Sequence, residues 1–277
     1  MTGASEESDD TKQYHIELAD GDIDGPVLLP GDPDRVDVIA ELWDRSREVA
    51  EHREYRTVAG EYDGEPLAVT STGIGSPSAA IALEELSRIG VETFLRVGSC
   101  GAIQEGIDIG DLVITTGAVR QEGTSHEYVR KEYPATAHDE VVTALVTAAE
   151  RLGHEYHLGV TCSTDSFYAG QSRPGLKGFS AAGAEGRLKE LRAAGVLNFE
   201  MEASAILTLA NLYGLRAGAV CTVYANRQTG EFRTDGQRKA AETASLAAAI
   251  LARMDRVKAA AGADRWHAGL SLPDETS

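Results

Sequence analysis

The stretch Phe94-Leu95-Arg96-Val97-Gly98-Ser99-Cys100-Gly101 runs from an apolar segment through one arginine into two glycines and a serine. A short, nearly continuous apolar run is typical of a parallel strand buried on both faces. We expect the strand to end in a glycine turn, because glycine allows positive φ and lets backbone N–H groups point to one spot. An arginine, a hydroxyl and free amides suit an oxyanion such as phosphate. The alternative is a core arginine with an internal partner, since an unpaired buried charge costs several kcal/mol.

Polar groups follow other apolar segments in the same way. Gly31 and Arg35 come after an apolar run, at the start of a predicted helix, where anions commonly bind. The loop 164–174 mixes aromatic, amide and arginine side chains, and the pair Asn226-Arg227 follows another predicted strand. Because ligands lie outside the carboxyl ends of parallel strands, these groups are expected to meet at one edge of the sheet.

Strand and helix patterns alternate from residue 14 to residue 262. They predict a single α/β domain in which helices flank a mixed, twisted central sheet, with a hairpin around the turn Asp63-Gly64. The glycines at 73–75 lack the spacing of the dinucleotide fingerprint GxGxxG. Residues 1–13 are acidic and expected to be disordered, and residues 263–277 are expected to form a polar C-terminal tail.

The composition restricts the class of protein. The chain has 44 acidic and 26 basic residues and a net charge of −18, which argues against nucleic acid as a partner. Its three cysteines form no CxxC pair, and it has no apolar run of the ~18 residues that a membrane helix needs. The acidic N-terminus lacks the pattern of a secretory signal. We therefore expect a cytoplasmic protein without a membrane partner, and its acidity is compatible with a high-salt, halophilic cytoplasm.

Several motifs in a fixed order carry a family resemblance. They are PGDPDRV at 30–36, HREY at 52–55, STGIGSPS at 71–78, FLRVGSCGAI at 94–103, DSFYAGQSR at 165–173, FEMEA at 199–203 and Asn226-Arg227. Together the motifs resemble the nucleoside phosphorylase superfamily of the one-domain, hexameric type, and within it the uridine phosphorylase group. The resemblance implies the nucleoside phosphorylase fold, a homo-oligomer with shared active sites, and a hexamer built as a trimer of dimers.

The resemblance also implies a role for each site residue. The phosphate would be bound by Gly31, Arg35, Arg96 and Ser99, with Arg53 reaching the site of a neighbouring subunit. The ribose would be bound by Glu200, Met201 and Glu202, with His15 contacting the 5′-hydroxyl across a subunit boundary. The base would be bound by Phe167, Gln171 and Arg173, bordered by Tyr224 and Ala225, with Arg227 supporting the loop. Arg96, Glu202, Gln171 and Arg173 would be the catalytic groups. No cofactor is implied beyond phosphate as co-substrate, and Glu54, Ile74 and Ser78 match a monovalent-cation site, for example for a structural potassium ion.

The implied reaction is reversible phosphorolysis of uridine to uracil and α-D-ribose 1-phosphate. Purine-specific relatives carry an aspartate near Tyr224-Ala225, and this sequence has none there. The uridine enzymes, however, usually carry a β-branched pair at those two positions, so guanosine or inosine is the alternative substrate. A nucleosidase that uses water is a more remote alternative, because water needs no arginine clamp. A non-catalytic nucleoside-binding protein is the other remote alternative.

Overall fold

A mixed ten-stranded sheet forms the centre of the computed structural model, which describes residues 12–234 and 236–272. The strands are β1 (Val27–Leu29), β2 (Arg45–His52), β3 (Tyr55–Tyr62), β4 (Glu65–Thr70), β5 (Thr93–Ala102), β6 (Leu112–Gln121), β7 (Ala135–Thr136), β8 (Tyr156–Thr164), β9 (Asn198–Glu200) and β10 (Arg216–Asn226). The helices are α1 (Asp34–Ala40), α2 (Ser76–Arg88), α3 (Thr124–Tyr128), α4 (Asp139–Leu152), α5 (Ala184–Ala193), α6 (Ala203–Tyr213) and α7 (Gln237–Ala261). The predicted α/β class is confirmed.

The sheet order is β10-β6-β8-β9-β5-β1-β4-β3-β2, and β5 also pairs with β10. Five of the strands therefore close into a small barrel, in the order β10, β6, β8, β9 and β5. The other four strands of this order, β1 to β4, extend from the barrel as an open sheet. The pairs β1–β4, β1–β5, β5–β10, β6–β8 and β8–β9 are parallel. Strands β1, β4, β5 and β10 therefore run in one direction, while β6, β8 and β9 run antiparallel to β5 and β10.

Two apolar clusters cover the faces of the sheet. One lies under α1, α4 and α7 and includes the fully buried Leu95 and Leu145. The other lies under α2 and α6 and includes the fully buried Phe94 and Leu83. Consecutive residues of β5 thus point into opposite clusters, which is why this strand reads as a continuous apolar run.

The expected glycine turn after Arg96 is wrong, because β5 continues to Ala102. Neither Gly98 nor Gly101 has a positive φ. The glycine at 98 provides space instead: a Cβ there would lie 2.7 Å from Cys221 Sγ and 3.0 Å from Arg96 Nη2. The hairpin at Asp63-Gly64 is confirmed as β3–β4, but β2 in front of it was not predicted.

Parts of both expected tails lie outside the described residues, namely 1–11 and 273–277. Within the described part of the C-terminal segment, Trp266 packs against the cluster under α7 and its backbone N–H donates to Glu140 at 2.9 Å. No helix in the described ranges combines the length and apolarity needed to cross a bilayer.

Candidate active site

A cavity of about 540 Å³ opens at the carboxyl ends of the parallel strands. Most residues predicted for the site line it: Gly31, Arg35, Ile74, Arg96, Ser99, Phe167, Gln171, Arg173, Glu200, Met201, Glu202, Tyr224 and Ala225. They come from β5, from the ends of β1, β9 and β10, from the first turn of α1 and from the loops after β4 and β8. Sequence-distant motifs therefore meet in one place, as the topology requires.

Arg96 lies buried between two carboxylates at the floor of this cavity. Its Nε donates to Glu200 Oε2 at 2.8 Å, and its Nη2 pairs with Glu202 Oε2. Burial lowers the pKa of Arg96, but the charges of Glu202 and Glu200 outweigh burial and raise it, so the guanidinium stays charged. The third nitrogen, Nη1, is buried and has no partner in the described part of the chain.

The two carboxylates differ in what they can still bind. Glu200 accepts from the hydroxyl of Ser163, from Arg96, and from the backbone N–H groups of Glu202 at 2.9 Å and Ala203 at 2.8 Å. Glu202 accepts from Arg96 and from the N–H of Gly75 at 2.6 Å. A carboxylate offers about four acceptor positions. Glu202 therefore keeps more capacity than Glu200 for the hydroxyls of a sugar.

Burial raises the pKa of Glu202. The positive charge of Arg96 opposes this effect, and the nearby negative charge of Glu200 adds to it. The net direction is upward because burial, together with the charge of Glu200, outweighs the attraction of Arg96.

Arg35 brings a second arginine to the same cavity. It lies in the first turn of α1, and its Nη1 donates to the backbone carbonyl of Val97 at 3.1 Å. Its Nε is buried and has no acceptor among residues 12–234 and 236–272. A buried donor without an acceptor costs about 1–3 kcal/mol. Arg35 and Arg96 both line this cavity, and two guanidinium groups in one place favour binding of an oxyanion there.

The outer half of the cavity is built on the loop after β8. The guanidinium carbon of Arg173 lies 4.5 Å from the centre of the Phe167 ring, and its buried Nε lacks an acceptor within the described ranges. Burial lowers the pKa of Arg173. Between Gln171 and Arg173, Ser172 has a φ of +55°, a strained conformation that turns its two neighbours. An aromatic face, an amide and a guanidinium there suit a planar, carbonyl-rich ring.

Arg227 does not line the cavity but holds this loop from behind. Its Nη1 donates to the carbonyl of Gln171 at 2.7 Å, and its Nη2 donates to that of Ser172 at 3.2 Å. A guanidinium that binds two consecutive carbonyls fixes the backbone of the turn.

His15 and Arg53 also lie away from the cavity. The His15 ring pairs with Glu85 at 2.6 Å, and Arg53 donates to the hydroxyl of Tyr14 at 3.4 Å. Arg53 has a φ of +57° in the tight connection between β2 and β3, so its backbone is strained. Both side chains lie near Tyr14 at the molecular surface.

The residues of the predicted cation site are neighbours. Ser78 Oγ donates to the carbonyl of Ile74 at 3.4 Å, and a Cβ at Gly73 would meet Glu54 Cγ at 2.9 Å and Ser78 Oγ at 3.4 Å. Ile74 is exposed. Binding of a cation here remains a prediction.

Sequence reasoning assigned no role to several residues of the site; those that line the cavity are Asp32, Pro33, Gly73, Cys100, Gly101, Phe199 and Phe232. Phe232 lines the cavity because the chain turns back after β10 and bridges Ala225 to Phe232. The turn residues Thr229-Gly230 could have signalled this return. Ser163, the hydroxyl beneath Glu200, lies within β8 and carries no sequence signal of its own.

Comparisons with known proteins identify the family of this chain. The sequence matches the Phosphorylase superfamily over residues 27–254. It is 58% identical over 264 residues to the uridine phosphorylase of Thermococcus kodakarensis, covering 95% of each chain. It is 46% identical over 221 residues to the uridine phosphorylase of Escherichia coli, covering 79% of this chain and 87% of that one. It is also 47% identical over 219 residues to the guanosine phosphorylase of Halorubrum lacusprofundi, covering 79% and 86%. A match over most of the chain, with its motifs gathered around one cavity, means that this protein belongs to the phosphorylase superfamily.

Proposed function

We propose that the protein is a pentosyltransferase that cleaves uridine with inorganic phosphate, giving uracil and α-D-ribose 1-phosphate. The observation that carries the proposal is that two guanidinium groups, those of Arg35 and Arg96, line one cavity together with the carboxylate of Glu202. The uridine phosphorylases to which the chain is similar support the choice of nucleoside.

The roles in this reaction follow from the chemistry of the side chains. Gly31, Arg35, Arg96 and Ser99 bind phosphate, and Glu202 with Met201 holds the ribose hydroxyls. A phosphate oxygen attacks C1′ as the C1′–N bond breaks, and the electron pair of that bond stays with the base. The phosphate dianion stabilises the developing cation at C1′. Phe167 stacks on the base, while Gln171 and Arg173 stabilise its negative charge; such donors are worth roughly 2.7–4 kcal/mol each.

The active unit is proposed to contain more than one copy of the chain. Arg53 and His15 lie outside the cavity of their own chain and are held at the surface. They would complete the phosphate and 5′-hydroxyl contacts of a neighbouring copy, in a hexamer arranged as a trimer of dimers. Mixing Arg53→Ala subunits with subunits carrying Arg35→Ala is expected to restore part of the activity, and no restoration would argue against a shared site.

Guanosine is the second candidate substrate. Ala225 adds little volume beside the base position, Tyr224 adds an aromatic ring, and the cavity holds about 540 Å³. The guanosine phosphorylase of Halorubrum lacusprofundi has nearly the same identity to this chain as the uridine enzyme of Escherichia coli.

A phosphate-dependent assay across uridine, thymidine, guanosine, inosine and adenosine tests the proposal. We expect uridine to have the highest kcat/KM and to yield ribose 1-phosphate. Faster turnover of guanosine would favour the second candidate. Undiminished activity without phosphate would indicate hydrolysis, and binding without product would indicate a sensor.

The acidic composition supports a proposal about the working environment. With a net charge of −18, the chain repels both phosphate and its own copies at low ionic strength. We expect a halophilic, cytoplasmic enzyme whose assembly and activity fall as salt is removed. Activity that is unchanged between ~0.1 M and ~2 M salt would contradict this.

A further inference from the structure

A buried serine stands behind the central arginine of the cavity. Ser163 lies at the end of β8, directly opposite Glu200 in the parallel β8–β9 pair, and it is fully buried. Its hydroxyl donates to Glu200 Oε1 and accepts from the backbone N–H of Ser204 at 2.8 Å. Ser163 is not among the residues that line the cavity. A nucleoside or phosphate in the cavity would therefore not touch it.

The contacts continue from the serine to the anion-binding arginine. Glu200 receives Ser163 on Oε1 and Arg96 Nε on Oε2, so it links the two side chains. Arg96 is then held at Nε and Nη2, and only Nη1 lacks a partner in the described chain. A long arginine side chain loses up to about 2 kcal/mol of rotamer entropy when it is fixed. Because Glu200 and Glu202 already hold Arg96 in the folded protein, ligand binding does not have to order this side chain.

We propose that Ser163 is a positioning residue that acts through Glu200 to orient Arg96 for phosphate. Glu200 then serves mainly as the holder of Arg96, and Glu202 is the carboxylate for ribose. The inference rests on the proposed function in one respect, the assignment of phosphate to Arg96. It predicts that loss of the Ser163 hydroxyl weakens phosphate binding and leaves nucleoside binding nearly intact.

The chain offers a matched control two residues earlier on the same strand. Thr161 is fully buried, pairs directly with Asn198 in the same strand register, and donates to Asn198 Oδ1 at 2.9 Å. Its contacts do not include Arg96, Glu200 or Glu202. Thr161→Val therefore removes a comparable cross-strand hydroxyl without touching the support of Arg96.

The experiment measures binding of inorganic phosphate by calorimetry and the two Michaelis constants on the full-length protein. For Ser163→Ala we expect the phosphate Kd to rise about tenfold, which corresponds to about 1.4 kcal/mol, with a nucleoside KM within about twofold of wild type. Thr161→Val is expected to lower Tm by about as much as Ser163→Ala does. Unlike Ser163→Ala, it should leave the phosphate Kd unchanged.

Three results would overturn the inference: an unchanged phosphate Kd in Ser163→Ala, an equal rise in Thr161→Val, or an equal rise in both Michaelis constants. If Ser163→Ala does not fold, Glu200→Gln decides, because it keeps the shape but removes the charge facing Arg96; an unchanged phosphate Kd would overturn the inference. A wild-type protein that binds phosphate but forms no ribose 1-phosphate would instead contradict the proposed function alone. A wild-type protein that binds no phosphate would overturn both.

Discussion

The two halves of the cavity are built differently. The inner half rests on strands β5 and β9, where Arg96, Glu200 and Glu202 are buried and pair with one another. The outer half rests on a loop, where Phe167 is 45% exposed and the backbone is held by Arg227. Electrostatic pairing in the interior holds the residues that we propose for phosphate and ribose, whereas those that we propose for the base lie on a loop. This division is consistent with relatives that act on uridine or on guanosine.

The largest effect is expected when the central charge is removed. Arg96→Ala leaves two buried carboxylates without their cation, and breaking a buried pair in this way costs about 3–5 kcal/mol of unfolding free energy. Phosphate binding is expected to be lost as well. Arg35→Ala is the matched control: Arg35 donates to a carbonyl, so phosphate affinity should fall with a stability loss of only about 1 kcal/mol. Urea unfolding measures the stability of the two variants, and calorimetry measures their phosphate affinity. Equal destabilisation by Arg96→Ala and Arg35→Ala would contradict the special role of the Arg96 ion pairs.

A smaller loss of stability is expected when an added side-chain carbon crowds Arg96. Gly98→Ala places a Cβ 2.7 Å from Cys221 Sγ and 3.0 Å from Arg96 Nη2, and such overpacking typically costs about 1–3 kcal/mol. Gly101→Ala, on the same strand, meets its nearest atom at 3.5 Å and should be tolerated. Thermal unfolding of the two variants checks this. Adding Cys221→Ala to Gly98→Ala should recover part of the loss, and an additive loss would indicate another cause.

Features that depend on neighbouring residues can be predicted from the sequence, whereas contacts between residues far apart in the chain cannot. The apolar run of β5, the hairpin at Asp63-Gly64 and the convergence of motifs at one sheet edge follow from local pattern and topology. The ion pair between Arg96 and Glu200 joins residues 104 positions apart, and no spacing rule gives such a contact. The glycine at 98 was misinterpreted because its reason is the position of Cys221 on a distant strand, not a turn.

Loosening the loop of the outer half should weaken nucleoside binding without weakening phosphate binding. Arg227→Ala removes the donors to the carbonyls of Gln171 and Ser172 and frees the strained turn. We expect the nucleoside KM to rise about tenfold, a loss of ~1.4 kcal/mol, with the phosphate Kd unchanged. Steady-state kinetics at saturating phosphate, combined with phosphate calorimetry, measures the two quantities. A parallel loss of phosphate binding would mean that the halves are coupled.

The smallest effect is a change in the pH dependence of stability. Burial raises the pKa of Glu202 above its unfolded value. Its contribution to stability is therefore fully present below the unfolded pKa of ~4.3 and is lost as pH rises through the higher folded value. Glu202→Gln cannot titrate, so the stability of wild type relative to this variant should decrease as pH rises above ~4.3 and then level off. Chemical unfolding of both proteins from pH 4 to pH 8 tests the sign, and a relative increase with pH would contradict it.

The pairing of β5 with β10 constrains how the protein is made. Thr93 and Arg216, which open these two strands, are 123 residues apart, and their pairing closes the barrel. Contacts between such distant segments form slowly, because a long loop must be ordered before they are gained. On a ribosome, Arg96 emerges well before the strand that will cover it. The nascent chain must therefore carry an unfinished barrel until β10 is released, with the edge of β5 that pairs with β10 still open.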